Sequence, residues 1–236
     1  QSDPLSIPKK FENQNDIEIT ALWIAVLSWG NRKSIINSGE KLIRLMHYAP
    51  YDFILNHTEK DKESFLNFKH RTFQPLDALY FLDFLQWFYR RNQSLEDAFF
   101  QTDSFESPNV KPALEYFHDF FFQLPHAPER TKKHIATPKR NSSCKRLNMF
   151  LRWMIRSPKN QVDFGLWKKA NASQLIIPLD VHVHRTALKL GLIERKNADW
   201  KAAEKLTQVL KNWRPEDPVF FDYGLFGLGL EERSMK

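Results

Sequence analysis

The stretch Pro178-Leu179-Asp180-Val181-His182-Val183-His184-Arg185 decides how the second half of the chain is read. It follows a short apolar run, Leu175-Ile176-Ile177, which Pro178 stops. Asp180 then stands where a helix N-cap belongs. The pattern predicts a helix from Val181 to Leu190, closed by Gly191. A carboxylate at an N-cap accepts bonds from free N–H groups of the first turn and faces the positive end of the helix dipole, so its direction is fixed and its charge favoured. An anion held in this way can stabilise a positive charge developing on a bound molecule. Most N-cap aspartates only hold a helix end, so a functional reading of Asp180 needs a second feature.

That feature lies upstream, at Ser142-Ser143-Cys144-Lys145-Arg146-Leu147-Asn148-Met149-Phe150. Around it, between Arg130 and Val162, stand ten basic residues and no acid: Arg130, Lys132, Lys133, Lys139, Arg140, Lys145, Arg146, Arg152, Arg156 and Lys159. The whole chain carries +7, so without this block the remainder carries −3. The positive field belongs to one segment, as expected of a polyanion-binding face.

Composition narrows the fold. The 236 residues, 42% hydrophobic, can bury a sizeable core in one large domain or two packed halves. Seven glycines against 20 Phe and 7 Trp favour helices joined by short loops, and no nucleotide-binding glycine motif is present. The single cysteine, Cys144, excludes an internal disulfide framework and an all-cysteine iron–sulfur cluster, and it suits a reducing, cytoplasmic setting. No signal peptide is visible, and the first residue is Gln rather than Met, so a trimmed N-terminus is expected. The longest apolar run, Ile19 to Trp29, is too short to span a bilayer and reads as a buried helix.

Periodicity and capping signals predict about ten helices. Asn15 with Glu18 opens one through Trp29, Gly30-Asn31 breaks it, and the next runs from Arg32 to Tyr48, stopped by Pro50. Short helices follow over Tyr51 to His57 and Glu59 to Phe68, then a broad apolar one over Pro75 to Arg91, a short piece capped by Ser94, and one over Val110 to Leu124. Pro125 to Ser143 reads as a loop whose cations stay in solvent. Helices then cover Lys145 to Ile155, Phe164 to Lys169, the Asp180 segment, a stretch capped by Asn197 and ending at Leu210, and one from Asp217-Pro218 to Leu228. No strand alternation competes with these, so the expectation is an all-α protein of two packed helical subdomains, 1–124 and 125–236, with a basic cleft between them.

The two motifs together resemble the helix-hairpin-helix DNA glycosylase superfamily. Members such as endonuclease III have a Lys-Thr-Ala-Asn helix start and a later Val-Asp-Thr-His-x-x-Arg segment. On this likeness the attacking lysine maps onto Lys145 and the aspartate that supports glycosidic cleavage onto Asp180, with His182 and Arg185 matching the flanking His and Arg. The spacing from lysine to aspartate is nearer that of the archaeal 8-oxoguanine glycosylases. Where the superfamily's hairpin has its phosphate-gripping Gly-x-Gly turn, this chain has Asn141, Ser142 and Ser143, an asparagine able to adopt the left-handed conformation and three residues that offer donors. The chain also resembles an uncharacterised bacterial family of unknown function that carries the same Lys-Arg-Leu-Asn-Met-Phe-Leu-Arg-Trp-Met run.

The resemblance implies DNA as partner, no cofactor or metal, and base removal with or without strand nicking through a lysine Schiff base. Arg130, Lys132, Lys133, Lys139, Arg140, Asn141, Ser142, Ser143, Arg146, His182 and Arg185 would contact the nucleic acid. Two other classes compete: a nucleic-acid-binding module that keeps the fold without the chemistry, and a helical scaffold that binds a protein partner through its Phe-rich helices. His182 and His184 lie two apart and cannot share a helix face, so they do not read as a zinc pair. His118-Asp119 reads as ordinary polar surface of a Phe-rich helix. Trp29, Trp153 and Trp167 could stack on a base but suit the core better. Cys144, beside Lys145, is expected to have a lowered thiol pKa.

Overall fold

The structure, a computed structural model, describes residues 3–102, 104–156 and 162–234, with side chains as far as residue 230. Lys159 of the basic block and the loop around Pro158 lie outside these residues. Among the described residues there are eleven α-helices, several short 3-10 turns and only isolated β-bridges, so the protein is all-α. In chain order the helices are α1 (Gln14–Leu27), α2 (Arg32–Leu45), α3 (Pro50–Asn56), α4 (Glu59–Lys62), α5 (Pro75–Tyr89), α6 (Glu96–Phe99), α7 (Lys111–Phe121), α8 (Lys145–Ile155), α9 (Val181–Lys189), α10 (Trp200–Trp213) and α11 (Asp222–Ser234). None of them is long and apolar enough to cross a membrane.

The chain divides into two compact units. One comprises Gln1–Gln101 and Phe117–Ile135, the other Thr102–Tyr116 and Ala136–Lys236. α7 contributes residues to both.

The first unit is built on α1, which is buried on all sides from Ile17 to Leu27. Its cap is Asn13, whose side chain accepts from Asn15 N at 2.8 Å, and not Asn15 as the sequence suggested. Glu18 is instead a buried tie, accepting from Tyr89 Oη at 2.9 Å, Ser94 Oγ at 2.6 Å and Leu95 N at 2.8 Å. A buried carboxylate is tolerable only when bonded in this way. Trp23, Phe73, Phe81, Phe84 and Phe121 interlock around α1 and α5 with ring centroids 4.3–5.9 Å apart. Pro50 opens α3 and does not end α2, which stops at Leu45 before His47 and Tyr48 enter the left-handed region.

The segment Pro125 to Ser143 is more ordered than a solvated loop. It holds two 3-10 turns, and its Arg130 and Lys132 are not left to solvent. Arg130 and Thr131 Oγ1 both bond the buried Asp77, the latter at 2.7 Å, and Lys132 pairs with Glu129. Asp77 also accepts from Gln74 N and lies 3.3 Å from His134 Nε2. Against the cost of its burial, these partners hold its carboxyl at about 2.

In the second unit an extended segment ahead of α7 runs beside 169–174. Phe105 N donates to Lys169 O, Val110 N to Gln174 O, and the Gln174 amide to Phe105 O and Ser107 O. The expected helix over Phe164 to Lys169 does not form. Phe164 N and Gly165 N bond Trp153 O and Trp167 N bonds Met154 O, so this stretch closes the carbonyl end of α8 in place of forming its own turns. α10 is capped by Asp199, not Asn197.

Candidate functional site

α8 begins where the sequence places it, at Lys145. Its cap, Cys144, has φ 49° and the nearby Asn141 has φ 55°, so two residues of the turn sit in the left-handed region. Ser143 O accepts from Asn148 Nδ2 at 3.0 Å, which fastens the turn to the first helical residues. Ser143 Oγ in turn donates to Leu179 O at 3.3 Å. The turn that starts α8 is therefore bonded to the residue preceding Asp180.

Asp180 caps α9 as expected, its Oδ1 accepting from His182 N at 2.9 Å and Val183 N at 3.0 Å. The helix ends before Gly191, at φ +66°. Both Lys145 and Asp180 are half-buried, so neither is sealed in the core. Lys145 Nζ lies 3.7 Å from Met149 Sδ, one turn along α8.

A third residue, absent from the sequence reading, joins them. Asp222 opens α11 with its side chain 13% exposed. Burial raises its carboxyl above the usual range. Arg152 and then Lys145 oppose the rise, while the Asp180 carboxylate adds to it.

Arg152 is why Asp222 is there. It is 2% exposed, pairs with Asp222, lies 3.4 Å from Asp163, and its guanidinium stands 4.1 Å over the Tyr223 ring. Arg156 bonds Asp163 at 2.9 Å and Asp217 at 2.9 Å. Both arginines were counted in the polyanion-binding block, and both are spent on internal carboxylates. The missed signal was Arg152 itself, a cation among Leu151, Trp153 and Met154 on a helix with an apolar face. A buried guanidinium requires an acid from elsewhere in the fold.

The other expected contacts fall as follows. Lys139, Arg140, Asn141 and Arg185 are exposed, while Ser142, Ser143, Arg146 and His182 are half-buried. Burial lowers the Arg146 guanidinium pKa. Asn141 Nδ2 donates to Asp199 at 2.9 Å, and Asp199 also pairs with Arg195, which holds its carboxyl well below the usual range. In the first unit Lys133 is exposed beside the paired Arg130 and Lys132. His182 packs edge-on against Phe226 at 5.7 Å, and His184 Nε2 lies 2.8 Å from Arg195 O. His118 is buried, with Nδ1 2.6 Å from Ile135 O, and is not surface. Trp153 and Trp167 are buried; Trp29 is half-buried under Arg71 at 4.7 Å. The expectation of an acidic Cys144 thiol is reversed, since burial pushes it up to about 12.

A family model described as a protein of unknown function (DUF2400) matches residues 3–231, which takes in both motifs and Asp222. The chain belongs to the DUF2400 family. No curated protein and no solved structure matches it. The family description assigns no activity, so the function of this DUF2400 chain has to be argued from the side chains themselves.

Proposed function

We propose that this DUF2400 protein is a DNA glycosylase-like enzyme whose reaction is carried by Lys145 and Asp180. The observation that carries the reading is the bond from Ser143 Oγ to Leu179 O at 3.3 Å, which ties the turn before Lys145 to the residue before Asp180. In this reading the neutral Lys145 amine attacks the anomeric carbon of an extruded nucleotide as the base departs with the glycosidic electron pair. Asp180, aimed by two backbone N–H groups, offsets the positive charge that develops on the sugar. The ring then opens: the C1′–O4′ bond breaks, O4′ takes the proton that the attacking nitrogen gives up, and the sugar is left on Lys145 as a Schiff base from which strand nicking can follow.

Phosphate contacts in the second unit fall to Lys139, Arg140, Asn141, Ser142, Ser143, Arg146, His182 and Arg185. Lys133 is the exposed cation of the expected set in the first unit. Arg130 is tied to the buried Asp77, and that ion pair must be broken before Arg130 can take a phosphate.

Borohydride trapping on duplexes carrying an abasic site or an oxidised purine tests the proposal. The expected result is a covalent protein–DNA adduct that Lys145→Ala abolishes while DNA affinity is retained. Salt-sensitive DNA binding with no adduct on any substrate would leave a binding module in place of an enzyme. No affinity for DNA at low salt would remove nucleic acid from the reading altogether.

A further inference from the structure

Apart from the Lys145 region, the first unit contains a groove that the proposed chemistry does not use. It is an open groove of roughly 600 Å³ between α4, the C-terminal half of α5 and the chain just after α7. That volume is within the ordinary range for small-molecule sites. Six of its lining residues decide what it can hold: Glu59, Lys62, Asp83, Trp87, Arg90 and Arg91.

The acids there are already occupied. Lys62 bonds Glu59 at 2.6 Å and Asp83 at 2.5 Å, and His126 Nε2 lies 3.1 Å from the other Asp83 oxygen. Arg90 and Arg91 are different. Both are exposed, and among the described residues neither has a carboxylate partner. Arg90 Nη2 makes one long bond of 3.5 Å to Leu55 O, and Arg91 Nη1 donates to Trp87 O at 2.7 Å. Most of the N–H groups of both guanidinium forks therefore remain to be matched, and that geometry suits the oxygens of a phosphate.

A flat surface adjoins the two cations. The Arg91 guanidinium stands 5.1 Å from the Trp87 ring centroid, and Phe120 braces the indole from another side at 5.7 Å. Guanidinium planes and indoles both stack on planar rings. The C-terminal end of α5 adds about half a negative charge, and Lys62 offsets only one of Glu59 and Asp83, so the two arginines leave the groove a small net positive charge.

We propose that this groove binds a phosphate monoester carrying a planar ring, the class that nucleoside monophosphates represent. Arg90 and Arg91 take the phosphate, and the Trp87–Arg91 surface takes the ring. The competing explanation is that the two arginines only close helix-end carbonyls, Arg91 that of Trp87 in α5 and Arg90 that of Leu55 in α3. That alternative predicts a loss of thermal stability on their removal and no ligand.

Calorimetric titration of the full chain with adenosine 5′-monophosphate, adenosine and inorganic phosphate separates these. Saturable 1:1 binding of the monophosphate is expected, at least tenfold tighter than either fragment. Arg90→Ala and Arg91→Ala should each weaken it about tenfold, and Arg91→Lys, which keeps the charge at the helix end but loses the fork, several-fold. Lys145→Ala should leave it unchanged. The proposal is overturned if the monophosphate does not bind at low-millimolar concentration, if phosphate alone binds as tightly, if the arginine variants retain affinity, or if Lys145→Ala removes it.

Discussion

Replacing Asp180 by Ala and by Asn separates what this residue does for the fold from what it does for the chemistry. Its Oδ1 accepts from His182 N at 2.9 Å and Val183 N at 3.0 Å, which makes it a full N-cap of α9. Removing such a cap costs about 1 kcal/mol, within a range of about 0.5–2. In a chain of 236 residues that corresponds to a fall of roughly 2–4 °C in apparent Tm for each kcal/mol. Asp180→Ala should therefore melt a few degrees below the parent. Asparagine caps a helix about as well as aspartate, so Asp180→Asn should melt within about a degree of the parent. It should nevertheless lose the covalent adduct in borohydride trapping by about two to three orders of magnitude, as removal of an aimed electrostatic group does. The neutral amide cannot offset a sugar cation. The assay pairs differential scanning fluorimetry with single-turnover trapping on a duplex carrying an oxidised purine, where the base has still to leave. If Asp180→Asn keeps the parent's trapping rate, Asp180 is a cap and nothing more. Should both variants lose activity only in proportion to their loss of folded protein, the same conclusion holds.

Three further outcomes follow from the packing. A folded-state carboxyl at about 2 against an ordinary 3.8 means that Asp77 stabilises the fold above pH 3.8 and stops doing so as pH falls toward 2. After discounting for solvent around the partly exposed Arg130, the contribution is on the order of 1–2 kcal/mol, and urea unfolding across that window should show a slope that Asp77→Asn flattens. Cys144, buried with its thiol raised to about 12, should resist iodoacetamide at pH 8 in the native protein and react once urea exposes it; rapid native labelling would contradict the burial. A Cβ on Gly229 would meet Thr186 Oγ1 at 2.9 Å and His182 O at 3.0 Å, whereas one on Gly227 meets nothing within 4 Å. Gly229→Ala should thus cost about 1–3 kcal/mol by overpacking α9 against α11, and Gly227→Ala should gain about 0.5–1 kcal/mol of helix propensity, both read from thermal melts.

Local signals in the sequence were enough for the features that depend on neighbouring residues. The all-α class, the start of α8 at Lys145, the Asp180 cap and the close at Gly191 all follow from periodicity and from cap chemistry acting within a turn or two. Caps were misplaced where several candidates lay close together, as at Asn13 against Asn15 and Asp199 against Asn197, because the choice depends on which residue has extended backbone. Charge was the least legible property. A run of ten cations and no acid reads as one positive face, yet Arg130 closes on Asp77, Arg152 on Asp163 and Asp222, and Arg156 on Asp163 and Asp217. Those acids lie up to 70 residues away, so only the tertiary fold sets which cations remain for a ligand. Asp222 is the clearest case: one carboxylate in a glycine-containing segment carries no local mark, and it gains significance because packing takes it out of water beside Arg152, within electrostatic reach of both Lys145 and Asp180. Desolvation and long-range pairing are properties of the folded molecule, and no window of sequence contains them.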